Sequence, residues 1–227
     1  MIIITGASKG IGKYLFESYL KSTNESVVGT YLHTEPESNR SNYARLDVCD
    51  YEGVTHFVSG LAMPPTQITL INCAGISNNG YTHKSDPDVW KKVVETNLFG
   101  TYHLIRALLP IMRDQKYGRI INFSSVVAVK PTPGISAYAA SKSALWGMSK
   151  SIAAENASLN ITINNINLGY SELGLISTVP IEYKEKIIKQ IPVGKLCEPL
   201  NIYKTVEYLR ETPYMTGSSI DVSGGLV

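Results

Sequence analysis

The chain has 227 residues, 44% of them hydrophobic and 18% charged, and a formal net charge of +2. That balance describes an ordinary water-soluble globular protein, long enough to bury a substantial core. It excludes a basic nucleic-acid surface and a membrane segment: Lys91-Lys92 is the only adjacent basic pair, and no apolar run approaches the ~18 residues of a span.

Strand and helix signals then alternate along the chain. Ile2 to Thr5 is a short apolar, β-branched run that reads as a buried strand, followed by a glycine-rich turn and a helix from about Lys13 to Leu20. Ser26 to Tyr31 is the next strand, and Thr34 to Asn42 is loop or weak helix. Tyr43 to Val48 reads as strand and Tyr51 to Leu61 as helix; Pro64-Pro65 then breaks the chain before a strand at Ile68 to Cys73. A long helical region covers Asp88 to Arg113, although Val93, Asn97, Leu98, Leu104, Ile105 and Leu108 fit one buried face only in part. Gly118 to Phe123 is strand, Ala137 to Asn156 an Ala/Ser-rich helix, and Ile161 to Leu168 strand. Helices near Ile181–Gln190 and Pro199–Arg210 precede a last strand at Ser218–Val222. Strands separated by helices imply an α/β fold: a single-domain, doubly wound parallel sheet, Rossmann-like, with helices on both faces. No linker or composition break divides residues 1–227.

Two local patterns carry chemistry. Strand, then Thr5-Gly6-Ala7-Ser8-Lys9-Gly10-Ile11-Gly12, then helix is the setting of a dinucleotide site. Gly6 permits the turn, Gly10 lets backbone approach phosphates, Gly12 lets helix pack on strand, and the helix N-terminus offers amides to the anion. The spacing is Gly-x-x-x-Gly-x-Gly rather than the commoner Gly-x-Gly-x-x-Gly. The second pattern is Tyr138 with Lys142 one helical turn later, and Ser125 upstream. Four residues put phenol and ammonium on one helix face, where the cation is expected to lower the phenol pKa and make it a usable general acid or base. At this composition about one Tyr-x-x-x-Lys arises by chance, so the pair gains weight only from what stands in register with it.

The register comes from a resemblance. The glycine turn, Asn72-Cys73-Ala74-Gly75, Asn97, Ser124-Ser125, Tyr138-Ala139-Ala140-Ser141-Lys142, Asp47-Val48, Gly217 and Ser223-Gly224-Gly225 together resemble the short-chain dehydrogenase/reductase family, and Gln190-Ile191-Pro192-Val193-Gly194-Lys195-Leu196 resembles the stretch after the lid in 3-oxoacyl-carrier-protein reductases. The resemblance implies a catalytic tetrad of Asn97, Ser125, Tyr138 and Lys142. Tyr138 would protonate the substrate oxygen, and Ser125 would orient the carbonyl. Lys142 would lower the Tyr138 pKa and bond the nicotinamide ribose, and Asn97 would hold a water linking Lys142 to solvent. It also implies cofactor contacts from Gly6, Ser8, Lys9, Gly10, Ile11, Gly12, Tyr31, Asp47, Val48, Asn72, Ala74, Gly75, Tyr138, Lys142, Gly169 and Ser171.

No carboxylate stands where the second strand stops at Tyr31, and Lys9 sits where basic residues of similar proteins meet the 2′-phosphate, so NADPH is expected over NADH. The alternatives are that Glu35 serves as the missing acid or that Lys9 is only solvated. The chain departs from the family at Leu168, where Pro is usual, and at Leu173, where Thr is usual; Ser171 or backbone amides would replace the lost donor. An apolar lid is expected over about residues 170–192, carried by Leu173, Leu175, Ile176, Val179, Ile181 and Tyr183, with packing of those residues on the body as the alternative. The substrate is expected to be a carbonyl, either on a carrier or CoA thioester or in a small molecule such as a keto sugar; a non-catalytic dinucleotide sensor is the rival reading. Arg106, Arg113, Lys116 and Arg119 are weighed as a docking patch for an acidic carrier protein against scattered surface cations. The long helices are expected to pair into a homotetramer or homodimer. Three distant cysteines and four scattered histidines give no disulfide frame or metal site, and the opening Met1-Ile2-Ile3-Ile4 is no signal peptide, so the cytoplasm is the expected compartment.

Overall fold

The computed structural model describes residues 1–61, 66–130, 132–174, 176 and 179–227. Pro64-Pro65 and Leu175 lie outside the described residues. The apolar run Ile2–Thr5 is β1, with all four residues buried. Gly6 and Gly10, both at positive φ, turn the chain into α1 (Gly10–Ser22). Next come β2 (Val27–Tyr31), β3 (Tyr43–Arg45), α2 (Tyr51–Ser59) and β4 (Thr69–Asn72). α3 (Pro87–Val94) and α4 (Gly100–Gln115) precede β5 (Gly118–Ser125), α5 (Ser136–Asn156) and β6 (Ile161–Leu168). α6 (Ile181–Gln190), α7 (Pro199–Glu211) and β7 (Ser219–Val222) follow.

The strands form one seven-stranded sheet in the order β3-β2-β1-β4-β5-β6-β7, and each neighbouring pair is parallel. The strand period of two divides the core. Ile2, Ile4, Ile71 and Ile121 meet Leu15, Phe16 and Tyr19 of α1 and Ile202, Val206 and Leu209 of α7. Ile3, Leu70, Ile120 and Ile163 meet Val54 and Val58 of α2, Leu104 and Leu108 of α4, and Ile152 of α5. Strand order reverses between β1 and β4, which opens a crevice at the carboxyl ends of those strands, where doubly wound sheets bind ligands.

Two elements differ from expectation. β3 stops at Arg45, because the Asp47 side chain accepts from the Cys49 amide at 2.9 Å and bends the chain away from the ladder. The helix expected as continuous over 88–113 is interrupted by a π turn at Glu95–Phe99. A π turn adds a residue to one helical turn, so the buried stripe shifts its phase there and the run fitted a single helix face only in part. Asn97, wholly buried, sits in the middle of that turn.

Candidate active site

The crevice between β1 and β4 is tied shut at its base. Thr5 Oγ1 accepts from the amides of Cys73 (3.1 Å) and Ala74 (3.0 Å), joining the ends of the two strands. Backbones approach closely there: a Cβ on Gly6 would lie 2.9 Å from Ala74 Cα, and one on Gly12 would collide with the Gly6 carbonyl oxygen. α1 starts with no side-chain cap and no acid in its first turn, behind an exposed Lys9. The positive end of the helix therefore has no internal anion, which suits a phosphate. This uncapped, glycine-lined cradle fits the pyrophosphate of a dinucleotide.

The other residues expected to meet the cofactor divide into those at the crevice rim and those turned inward. Ser8, Ile11, Tyr31 and Ala74 are half-buried and Gly75 is exposed. A Cβ on Gly75 would lie 3.2 Å from Asn97 Oδ1 and 3.7 Å from Lys142 Nζ, so its backbone borders the expected tetrad. Asp47 is exposed, and the buried Val48 offers its carbonyl to His103 Nδ1–H at 2.9 Å. Gly169 backs onto Ser223, whose Cα a Cβ there would approach to 3.0 Å. The Asn72 side chain faces the sheet interior, where Nδ2 donates to Asn122 Oδ1 at 2.9 Å while Oδ1 is buried without a partner. Ser171 is buried and donates to the Leu173 carbonyl at 2.8 Å.

The four residues expected to act together come from three elements. Ser125 ends β5, Tyr138 and Lys142 lie one turn apart on α5, and Asn97 comes from the π turn. Ser125 Oγ accepts weakly from the Val127 amide (3.4 Å), and its hydroxyl is near enough to Tyr138 to favour the phenolate. Lys142, 6% exposed, donates to the Phe123 carbonyl at 2.6 Å and holds Nζ 5.6 Å from the centre of the Tyr138 ring. Asn97 clamps the β4 loop: Oδ1 accepts from the Ile76 amide (2.8 Å), and Nδ2 donates to the Ile76 carbonyl (2.9 Å) and to Ser141 Oγ (3.0 Å). Both Nδ2 protons are therefore engaged, Oδ1 keeps a second lone pair, and the main-chain carbonyl of Asn97 accepts the Thr101 hydroxyl at 2.9 Å.

The electrostatics correct one expectation. Lys142 was expected to lower the Tyr138 pKa, yet the phenol is raised: burial of its hydroxyl is the larger effect, and the Ser125 hydroxyl only partly opposes it. Lys142 itself is pushed down to about 8, mainly by burial, with the nearby Cys73 opposing. Burial also raises the Cys73 thiol, with Lys142 opposing, so Cys73 is an inert neighbour of the tetrad.

Other expectations change as well. Arg119 is 5% exposed, with its guanidinium on the carbonyls of Gly118, Asn160 and Arg210, and Arg113 donates to Asn156 Oδ1 at 2.6 Å. Of the four cations weighed as a carrier-docking patch, Arg119 is buried and unavailable, while Arg106, Arg113 and Lys116 are exposed. Glu35 is engaged with Arg40 at 3.9 Å. In the lid segment Ile176 is buried, but Ile181 and Tyr183 are 75% and 59% exposed, and α6 has no fully buried residue, with only Lys184, Ile187 and Ile188 half-buried. Sequence reading missed Ser141 and His103. The first stands inside the quoted Tyr138–Lys142 stretch, three residues after Tyr138; the second gave no signal, because its partner is a backbone carbonyl 55 residues away.

A family model described as short chain dehydrogenase matches residues 1–179. The chain is 34% identical to acetoacetyl-CoA reductase of Shinella zoogloeoides, covering 98% of this chain and 96% of the relative. It is 32% identical to 3-oxoacyl-[acyl-carrier-protein] reductase of Haemophilus influenzae over 99% of this chain and 96% of the relative. Among solved structures it superposes on Thermoplasma acidophilum aldohexose dehydrogenase in ligand-free form with a TM-score of 0.90 at 27% identity, covering 99% and 92% of the two chains. It superposes on the 3-oxoacyl-[acyl-carrier protein] reductase of Brucella melitensis with a TM-score of 0.89 at 30% identity, covering 99% and 90%.

Proposed function

The chain belongs to the short chain dehydrogenase family and is an NAD(P)-dependent oxidoreductase of the carbonyl-reductase kind, and on that premise we propose that it reduces a 3-oxoacyl thioester with NADPH, Tyr138 supplying the proton. The observation that carries this reading is the Ser125–Tyr138–Lys142 constellation on β5 and α5. When bound, the nicotinamide supplies the hydride. Ser125 Oγ holds the carbonyl oxygen, and Tyr138 Oη, close to Ser125, gives that oxygen its proton. Lys142, near pKa 8, then returns a proton to Tyr138 and is recharged from solvent. Asn97 keeps the Ile76 loop, and with it Gly75, against this group. Lys9 at the start of α1 favours the 2′-phosphate of NADPH, and the absence of an acid after Tyr31 removes the group that would favour NADH.

The thioester is favoured because reductases of 3-oxoacyl carrier-protein and acetoacetyl-CoA substrates share 30% identity or more with nearly the whole chain. The aldohexose dehydrogenase shares the fold at lower identity, which keeps a sugar substrate as the second reading. The test follows NADPH absorbance with acetoacetyl-CoA, a 3-oxoacyl carrier protein and a panel of ketones, and runs aldohexoses in the oxidative direction. Turnover of either thioester supports the proposal. Turnover of sugars alone replaces the substrate, and tight NADPH binding with no turnover across the panel favours a sensor.

A further inference from the structure

β5 and β6 carry a feature that the tetrad does not use. β6 reads Ile-Thr-Ile-Asn-Asn-Ile-Asn-Leu and is buried throughout, and β5 places Asn122 and Ser124 in an equally buried strand. Amide and hydroxyl side chains inside a sheet are costly unless paired, and the pairing here is ordered. Strand register aligns Asn122, Asn165 and Ser219 as one rung across β5, β6 and β7, and Ser124, Asn167 and Asp221 as the next. Each rung is bonded to α5. In the first, Asn122 Nδ2 donates to Ser149 Oγ (3.2 Å), Ser149 to Asn165 Oδ1 (2.9 Å), and Asn165 Nδ2 to Ser219 Oγ (3.0 Å). In the second, Asn167 Nδ2 donates to Asp221 Oδ1 (2.8 Å), and Trp146 Nε1–H is shared between Asn167 Oδ1 (2.9 Å) and Ser124 Oγ (3.2 Å). Ser124 in turn donates to the backbone carbonyl of Lys142 (3.0 Å).

Position on the helix gives this a consequence. Tyr138, Lys142 and Trp146 are spaced four apart and share one face of α5. Most of the helix surface is Ala, Ser and Gly, whose small side chains interlock weakly and leave the height of the helix along the sheet poorly fixed. Directional hydrogen bonds from a rung to Trp146 and to the Lys142 carbonyl fix that height, one and zero turns from the tetrad. Ser125, the next residue on β5 after the rung member Ser124, then stands opposite Tyr138.

We propose that the Ser124–Asn167–Asp221 rung, read through Trp146, sets the position of α5 on the sheet and so the alignment of Tyr138 and Lys142 with Ser125. Trp146 and Asn167 are positioning residues: they act through Lys142 and touch neither substrate nor cofactor. The inference rests on the carbonyl-reduction reading for its kinetic arm only.

The test uses four proteins: wild type, Trp146→Phe, Asn167→Asp, and the pair Asn167→Asp with Asp221→Asn. Trp146→Phe keeps the ring and removes the shared donor. Asn167→Asp sets a carboxylate against Asp221, and adding Asp221→Asn restores the bond with donor and acceptor exchanged. In each, the Lys142 amine is titrated by NMR and kcat and KM are measured with NADPH and acetoacetyl-CoA. In the two single variants the Lys142 midpoint should rise by at least half a unit as water reaches the amine. Their kcat should fall by roughly tenfold or more, with KM little changed, since small misplacements at a reacting centre have large rate effects. The paired variant should return both quantities to within about twofold of wild type. A midpoint and a kcat per folded molecule equal to wild type in the single variants, with only a lower melting temperature, would overturn the proposal. A wild type inactive on acetoacetyl-CoA whose Lys142 midpoint still moves and is rescued as described would refute the substrate and keep the positioning role. Should Asn167→Asp not fold alone, Trp146→Phe and the paired variant give the same two readings.

Discussion

Lys142→Met should make the protein more stable while removing most of its activity. The ordinary lysine pKa of 10.5 falls to about 8 in the fold, chiefly through burial. The sign follows from linkage: a lysine whose folded pKa is depressed binds its proton less tightly folded than unfolded. The charged amine therefore destabilises the fold throughout the range below about pH 8, and the penalty disappears as pH rises to the unfolded value of 10.5. At ~1.4 kcal/mol per unit the penalty near pH 7 is roughly 3 kcal/mol. Methionine removes it but leaves the Phe123 carbonyl, now bonded at 2.6 Å, without its donor, which costs about 1–2 kcal/mol. The net expectation is a gain of about 1–2 kcal/mol near pH 7, or a melting temperature higher by about 2–8 °C for a chain of this size. Urea unfolding of wild type and variant at about pH 7 and about pH 10 measures it. Wild-type stability should climb relative to the variant between those conditions, the cysteine thiols raised by burial lowering both proteins alike, while nucleotide affinity and turnover both drop in the variant. A difference between the two proteins that stays constant over that window, or a variant less stable near pH 7, would refute the argument that burial rather than a partner sets the state of Lys142.

Four further outcomes are expected. Tyr138→Phe should keep nucleotide affinity, measured by calorimetry, and lose about 10²–10⁴-fold in turnover, because the ring survives and the proton does not; near-normal turnover would sink the mechanism. Lys9→Ala should lower affinity for NADPH by about tenfold and leave NADH unchanged, one charge-assisted contact being worth about that much; a wild type that prefers NADH would refute the Lys9 argument. Gly12→Ala should abolish binding of either nucleotide, since its Cβ collides with the Gly6 carbonyl, and normal binding by titration would contradict the cradle geometry. Phe99 and Tyr102 on or beside α4 are 51% and 44% exposed, which supports helix pairing between copies; sedimentation should give a tetramer or dimer, and a monomer alone would contradict it.

What the sequence made legible was local. A glycine turn between strand and helix, and a Tyr and Lys four apart, are set by backbone geometry over a few residues, and both stand in the structure where the pattern placed them. β6 matches its expected bounds of 161–168 for the same reason. What was not legible depends on neighbours distant in sequence. The π turn at Glu95–Phe99 shows in sequence only as an imperfect apolar stripe, because whether a helix adds a residue is decided by what Asn97 finds on the Ile76 loop. Arg119 reads as a surface cation until α7 supplies the Arg210 carbonyl and the turn before β6 that of Asn160. The rungs that hold α5 require the register of three strands, and no local rule gives the pairing of Asn167 with Asp221.

Burial reorders the two proton-binding groups of the proposed mechanism. In water lysine holds its proton slightly more tightly than tyrosine, 10.5 against 10.0; in the fold Lys142 drops to about 8 while Tyr138 rises. Both shifts have burial as their largest cause, and burial disfavours each charged form, ammonium and phenolate alike. The result near neutral pH is a phenol that stays protonated and an amine close to its midpoint. A general acid must hold its proton until the substrate takes it, and its reservoir must exchange with solvent at the working pH. An enclosure that stabilised the phenolate instead would leave Tyr138 fit to accept a proton from an alcohol and poorly fit to give one to a carbonyl. The direction of the shifts therefore favours reduction, and the pH profiles should show it. Under the proposed mechanism turnover in the reductive direction should decline as pH rises past about 8, where Lys142 empties, and alcohol oxidation should rise over the same range. Parallel profiles in the two directions would mean that the enclosure seen here does not govern the proton.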